Sequence, residues 1–138
     1  MLRLGACLGV PVHIIHPTGF PFSRKALKRA GLDYLEHAEF TEHLSYGHFA
    51  QWRRDASKRL VLLTTKSSNS AYEATYGPGD ILMVGRESAG VPEDVAAEAD
   101  MRVRIPMRHN MRSLNVAMAI SLVLGEALRQ TGAFSVLK

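Results

Sequence analysis

Leu60-Val61-Leu62-Leu63-Thr64-Thr65-Lys66 is the stretch from which the fold is read. Four apolar residues are too few for a lone helix. An unalternated run of strand formers is buried on both faces, so 60–63 reads as a central parallel strand whose carboxyl end, 64–66, faces a site. Ile81-Leu82-Met83-Val84 repeats the signature after a turn at Gly77-Pro78-Gly79 and delivers Gly85 at its end. Further strands are expected at Val12 to Ile15, stopped by Pro17, near Glu36 to Phe40, and at Val103 to Ile105, stopped by Pro106.

Helical segments fall between these runs. Leu2 to Leu8 is one or two turns ended by Gly9; Ser23 caps a basic helix reaching Ala30, with Gly31 as its stop. Thr41 is read as the cap of a helix to about Arg53 with Leu44, His48, Phe49 and Trp52 inward, and Pro92 as the first residue of a short helix. The alternation makes the domain α/β, with a mostly parallel sheet flanked by helices.

The last helix, Leu114 to about Gln130, carries two apolar stripes: Leu114, Ala117, Met118, Ser121 and Leu122 on one side, Val116, Ile120, Val123, Leu124 and Ala127 over much of the rest. A helix apolar nearly all round is buried on more than one side, so one face meets the sheet and the other a partner subunit.

Composition sets the bounds. The chain has 138 residues, 46% of them apolar and 22% charged, as expected of one ordered domain spanning 1–138. Its longest apolar stretch, Val116 to Leu124, is far shorter than the roughly 20 residues a bilayer needs, and no signal peptide is evident, so no membrane association is expected. Cys7 is the single cysteine, which excludes an internal disulfide and fits the reducing cytoplasm. The six histidines lack metal-ligand spacing and read as surface or loop residues, and no metal is expected. A formal charge of +4 mildly favours a polyanion, and Arg24, Lys25, Lys28 and Arg29 crowd one side of their helix. That cluster suits phosphate and equally suits a solvated face.

Three segments carry candidate chemistry, each just after a strand, where open α/β sheets bind ligands. They are Leu63-Thr64-Thr65-Lys66, then Gly85-Arg86-Glu87-Ser88-Ala89-Gly90-Val91-Pro92, then Ile105-Pro106-Met107 with Arg112-Ser113-Leu114-Asn115 opening the last helix. Two glycines permit close backbone approach, with Glu87 an acceptor between them. Ser88 is no nucleophile elbow, because Arg86 stands where the first glycine belongs; no dinucleotide or Walker A motif is present either.

Gly85-x-Glu87-x-x-Gly90-Val91-Pro92, with Ile105-Pro106-Met107 and Arg112-Ser113-Leu114-Asn115-Val116, resembles the second and third motifs of the SPOUT RNA methyltransferases. Residues 60–66, Arg29-Ala30-Gly31-Leu32-Asp33-Tyr34, His13-Ile14-Ile15-x-Pro17 and Gly19-Phe20 are similar to the bacterial tRNA wobble-nucleotide 2′-O-methyltransferases among them. The resemblance spans essentially the whole chain. It implies a SPOUT α/β knot, with a C-terminal trefoil knot, and a homodimer through the C-terminal helix. It also implies S-adenosyl-L-methionine as cofactor, bound by Leu63, Thr64, Gly85, Glu87, Gly90, Ile105, Met107 and Ser113 largely through backbone, and tRNA as partner.

The implied reaction moves a methyl group from sulfonium to the ribose 2′-hydroxyl of the wobble nucleotide, a cytidine or modified uridine. Arg3, Ser113 and Asn115 are the catalytic candidates, with Arg3 matching the arginine that closes the first motif. Arg24, Lys25, Lys28, Arg29, Lys66 and Arg112 are the RNA-binding candidates. The family begins with a strand and Asn-x-Gly-Asn-x-x-Arg, of which only Arg3 is present, so the domain is expected to be N-terminally truncated relative to the family. Two other readings stand beside this one: an inactive cofactor- or RNA-binding remnant, and a 2′-O-methyltransferase acting on rRNA or another tRNA site.

Overall fold

The computed structural model describes residues 1–17, 25, 36–85, 90–111 and 114–137. The expected Ser23-capped helix therefore lies outside the described residues, apart from Lys25, which is helical and exposed. The chain forms two compact units, residues 1–56 and 57–138.

In the first unit, α1 (Leu2–Leu8) ends at Gly9 in a left-handed conformation, and β1 (Val12–Ile15) pairs in parallel with β2 (Phe40–His43). The second strand sits later than the expected Glu36 to Phe40, which moves Thr41 from a helix cap to a ladder position opposite His13. The cap is instead Ser45, whose Oγ accepts from the His48 amide at 3.2 Å and which precedes α2 (Tyr46–Ala56). With the helix starting there, Phe49 and Ala50 face the core, whereas His48 and Leu44 face water, Leu44 with 79% of its surface exposed.

One histidine in this unit is not on the surface. His43 is 7% exposed, and its Nε2 lies 2.8 Å from Nδ1 of His13, whose ring rests on Trp52 with centroids 4.3 Å apart. Burial holds the His43 imidazole below its ordinary pKa of 6.5, and nearby His48 adds to the effect. The lowered pKa favours the neutral form of the His43 ring, whose Nε2 can accept a hydrogen bond from His13 Nδ1 or donate one to it.

The second unit holds a parallel sheet of order β4-β3-β5, from β3 (Leu60–Leu63), β4 (Ile81–Met83) and β5 (Met101–Val103). The run at 60–63 is central, as read, and Leu60, Val61 and Leu62 are fully buried. Between β4 and β5 lies α3 (Glu93–Glu98), with Pro92 as its cap residue, so the helix begins one residue later than expected. The third strand begins earlier than the expected Val103, because Asp100 receives the Leu60 amide at 2.7 Å and sets the register two residues upstream.

α4 (Val116–Thr131) covers one face of this sheet, and the chain ends in a short 3-10 turn at Ala133–Val136. Val123 packs with Val61, Ala71, Tyr76 and Val103, with Leu63, Leu82, Met101, Ile105 and Ala127 around them. Each fully buried valine among them contributes roughly 1.5–3 kcal/mol. The two stripes separate as read: Ile120 and Val123 are buried, whereas Leu114, Met118 and Leu122 are 39%, 65% and 45% exposed.

The long β3–β4 connection is tied down by side chains whose partners are distant in sequence. Gln130 donates to the Ala74 carbonyl at 2.9 Å and accepts from the Tyr76 amide at 2.9 Å, while the Tyr76 hydroxyl donates to the Ala71 carbonyl at 2.6 Å. Burial pushes the Tyr76 phenol up to about 12. Arg59 forks onto Asp80 at 2.6 and 3.1 Å and also reaches the Thr75 carbonyl; Asp80 in turn receives the Gly77 amide at 2.8 Å.

Candidate functional site

Parallel strands end on one side of their sheet, and in the second unit the carboxyl ends of β3, β4 and β5 open onto a cavity of about 1070 Å³. Its lining brings together Leu63 at the end of β3 with Thr64 and Lys66 beyond it, Gly85 and Gly90 after β4, Ile105 and Met107 after β5, and Leu114 with Asn115 at the start of α4. These residues come from three separate stretches of sequence. The register unites them: Leu63 pairs with Val103, Leu62 with Met83, and the Thr64 amide donates to the Val103 carbonyl at 2.9 Å.

The two glycines have different physical reasons. A Cβ on Gly85 would stand 2.7 Å from both the Cα and the carbonyl oxygen of Gly90, a separation real side chains do not tolerate. Gly90 has open space around its Cβ direction but a φ of +65°, the left-handed region that favours glycine. The close approach read from the sequence is thus made by the chain to itself: the ends of the 85–90 loop abut, and this closure forms the cavity wall.

Asn115 stands at the wall and is also the cap of α4. Its Oδ1 accepts from the Ala117 amide at 2.9 Å and the Met118 amide at 3.4 Å, fixing where the helix begins. Lys66 is exposed, in a turn whose amide meets the Thr64 hydroxyl at 3.2 Å. Arg3 lies in the first unit, exposed on α1. Glu87, Arg112 and Ser113, together with Arg24, Lys28 and Arg29, lie outside the described residues.

Three charged lining residues were missed by sequence reasoning: Glu93 on α3, and Arg102 and Arg104 on β5 and beyond it. The signal was present as alternation, since Met101, Val103 and Ile105 join the core cluster and the intervening arginines take the other face. Arg102 is engaged by α3, donating to the carbonyls of Ala96 at 2.8 Å and Ala99 at 3.3 Å. The loop after β3 is stitched to the same strand, with Ser67 Oγ donating to the Arg102 carbonyl at 2.8 Å and the Ala71 amide to the Arg104 carbonyl at 2.8 Å. Cations outnumber carboxylates among the described lining residues, three to one.

The lining has the chemistry of a small-molecule site: apolar side chains from Leu63, Val84, Ile105 and Leu114, main-chain groups at strand ends, and a few polar groups. Its volume is at the upper end for such sites, enough for a cofactor and part of a second ligand. Among the described residues no cluster of His, Cys, Asp or Glu is placed to hold a metal ion, and no helix is long and apolar enough to cross a membrane.

The SpoU rRNA Methylase family profile matches residues 1–125. A tRNA (cytidine(34)-2′-O)-methyltransferase of Beijerinckia indica is 56% identical over 135 residues, 98% of this chain and 84% of the relative. A solved structure described as giving structural insights into the 2-OH methylation of C/U34 on tRNA superposes with a TM-score of 0.84 at 40% identity, over 94% of this chain and 84% of that one. An AdoMet-bound rRNA methyltransferase from Sinorhizobium meliloti superposes with a TM-score of 0.81 at 27% identity, over 99% of this chain and 51% of that one. The chain therefore belongs to the SpoU rRNA methylase family.

Proposed function

We propose that this protein transfers a methyl group from S-adenosyl-L-methionine to the ribose 2′-hydroxyl of the wobble nucleotide of tRNA, a cytidine or modified uridine. The carrying observation is the cavity at the ends of three parallel strands, where Leu63, Gly85, Gly90, Ile105, Met107 and Asn115 converge. The relative at 56% identity supports the choice of reaction and nucleotide.

Bound there, the cofactor supplies an electrophilic methyl group on a sulfonium. The chain's own work is to hold and align. Leu63, Thr64, Ile105 and Met107 offer strand-end backbone and apolar cover, the closed Gly85–Gly90 loop walls the pocket, and Glu87 and Ser113 complete the set. Asn115 sets the start of α4, next to the lining residue Leu114. Arg3 is the catalytic arginine of this reading; a guanidinium keeps its proton, so its task is to stabilise oxyanion character or fix a phosphate, not to act as base. Arg24, Lys25, Lys28, Arg29, Lys66 and Arg112 carry the tRNA phosphates.

The assembly is a homodimer through α4. The supporting observation is the exposed apolar stripe of Leu114, Met118 and Leu122, interleaved with exposed Ala117 and Ser121 along one side of the helix. The tRNA substrate and the exposed lone Cys7 fit a cytoplasmic protein.

The test is transfer of labelled methyl from S-adenosyl-L-methionine to tRNA, followed by nuclease mapping of the labelled nucleotide. Label at nucleotide 34 is expected; no label from folded protein refutes the activity, and label elsewhere refutes the site. Arg3→Ala should lower kcat while leaving affinity for S-adenosylhomocysteine intact. Sedimentation of Met118→Glu tests the dimer, which should dissociate.

A further inference from the structure

We infer that Arg104 is the receptor for the α-carboxylate of the cofactor, a role that rests on the cofactor reading above. Two arginines alternate on the same face of the β5 segment, and both line the cavity. Arg102 is held by two carbonyls of the α3 region and serves the fold. Arg104 is half-buried, yet among the described residues its guanidinium makes no hydrogen bond and no ion pair.

A cation withdrawn partly from water without a partner carries an uncompensated desolvation cost, which an anion in the cavity relieves. The position is prepared for one. The Arg104 main chain is pinned on both sides, its amide donating to the Asn69 carbonyl at 2.8 Å and its carbonyl accepting from Ala71 at 2.8 Å, in a bridge with Ser70. Its Cα is therefore fixed at the strand end, one residue before Ile105.

A carboxylate fits this group better than an RNA phosphate does. The guanidinium fork pairs with a carboxylate or a phosphate alike, so position decides: Arg104 sits among the same strand-end residues that line the apolar part of the cavity. Lys66, exposed at the neighbouring strand end, is the cation placed for a phosphate arriving from solvent. Arg104 and Lys66 would divide the two anions of the reaction between them, one for the cofactor and one for the nucleic acid.

Calorimetry with two ligands tests this. S-adenosylhomocysteine carries the α-carboxylate; 5′-methylthioadenosine has the same adenosine and thioether without it. Arg104→Gln should weaken S-adenosylhomocysteine binding about 10- to 100-fold, the value of a charge-assisted pair, and change methylthioadenosine binding by less than about threefold. Arg104→Lys should recover only part of the loss, because it restores charge without the fork, and it serves as the folded control if Arg104→Gln melts early. Equal losses for both ligands, or undiminished S-adenosylhomocysteine binding with weakened tRNA binding, would overturn the inference. Wild-type protein that binds neither ligand would sink the cofactor reading and this inference with it; wild-type binding that Arg104→Gln leaves unchanged would sink the inference alone.

Discussion

Replacing Gly85 by alanine puts one methyl group where the chain doubles back on itself. The new Cβ would lie 2.7 Å from the Cα and the carbonyl oxygen of Gly90 and closer still to its carbonyl carbon, whereas ordinary contact begins near 3.4 Å, so one side of the loop must retreat by more than about 0.7 Å. The obstacle is backbone, which cannot rotate aside as a long side chain would. Overpacking of this kind costs about 1–3 kcal/mol of stability. On the proposed cofactor placement the shift also displaces the wall beside the ligand, and loss of two backbone hydrogen bonds at about 1 kcal/mol each would lower affinity by more than tenfold. Gly90→Ala is the matched control, since its penalty is the left-handed φ of +65°, about 1–2 kcal/mol, with no atom in the way. Urea unfolding and calorimetric titration with S-adenosylhomocysteine on both variants separate the two effects. Gly85→Ala should lose more affinity than Gly90→Ala at comparable stability. Wild-type affinity in Gly85→Ala would refute the claim that loop closure at this glycine forms the pocket.

Other perturbations read different parts of the molecule. His43 is neutral in the fold with its pKa held below 6.5, so the unfolded chain takes up its proton first; stability is unaffected well above pH 6.5 and falls as pH drops below it. An imidazole NMR titration of His43 with a midpoint at or above 6.5 would contradict this. Gln130→Ala removes the two hydrogen bonds that hold residues 74 and 76 and should cost about 1–3 kcal/mol by urea unfolding, because it leaves peptide groups without partners; a neutral effect would show the connection needs no such tie. Asn115→Ala should lose about 0.5–2 kcal/mol for the cap, whereas Asn115→Asp keeps the accepting oxygen and most of the stability. Equal losses in the two variants would mean that Oδ1 is not what starts the helix.

Legibility tracked how local the determining physics was. The central strand at 60–63 and the two faces of α4 were readable because burial on both faces, or on one side of a helix, is written as apolar spacing. The strand Phe40–His43 was placed early because Thr41-Glu42-His43 is polar and Thr41 resembles a cap. What makes it a strand is non-local: His43 finds a hydrogen bond at His13 and aromatic faces at Phe49 and Trp52, so a titratable residue takes a core position. The Arg59–Asp80 fork, 21 residues apart, and the Gln130 tie, more than 50 residues apart, had no sequence signature for the same reason. Of the candidate site, the strand ends and glycines were found by pattern and resemblance, while Arg104 was passed over as an ordinary strand residue.

That omission exposes a link between folding and the site. Along 101–105 one period-two pattern does two jobs: its odd positions anchor the segment to Val61, Tyr76 and Val123, and its even positions carry arginines into the cavity. A slip of one residue would exchange them, burying guanidinium groups against α4 and taking Val103 out of the core. The register is therefore held from the site side as well as from the core side, by Arg102 on the α3 carbonyls and by the Asn69–Arg104–Ala71 stitching. Leu63 and Ile105 belong to both sets, packing on the core cluster while lining the cavity. Any change that loosens the core at Val103 should then act on the position of Arg104 and on the strand-end backbone together.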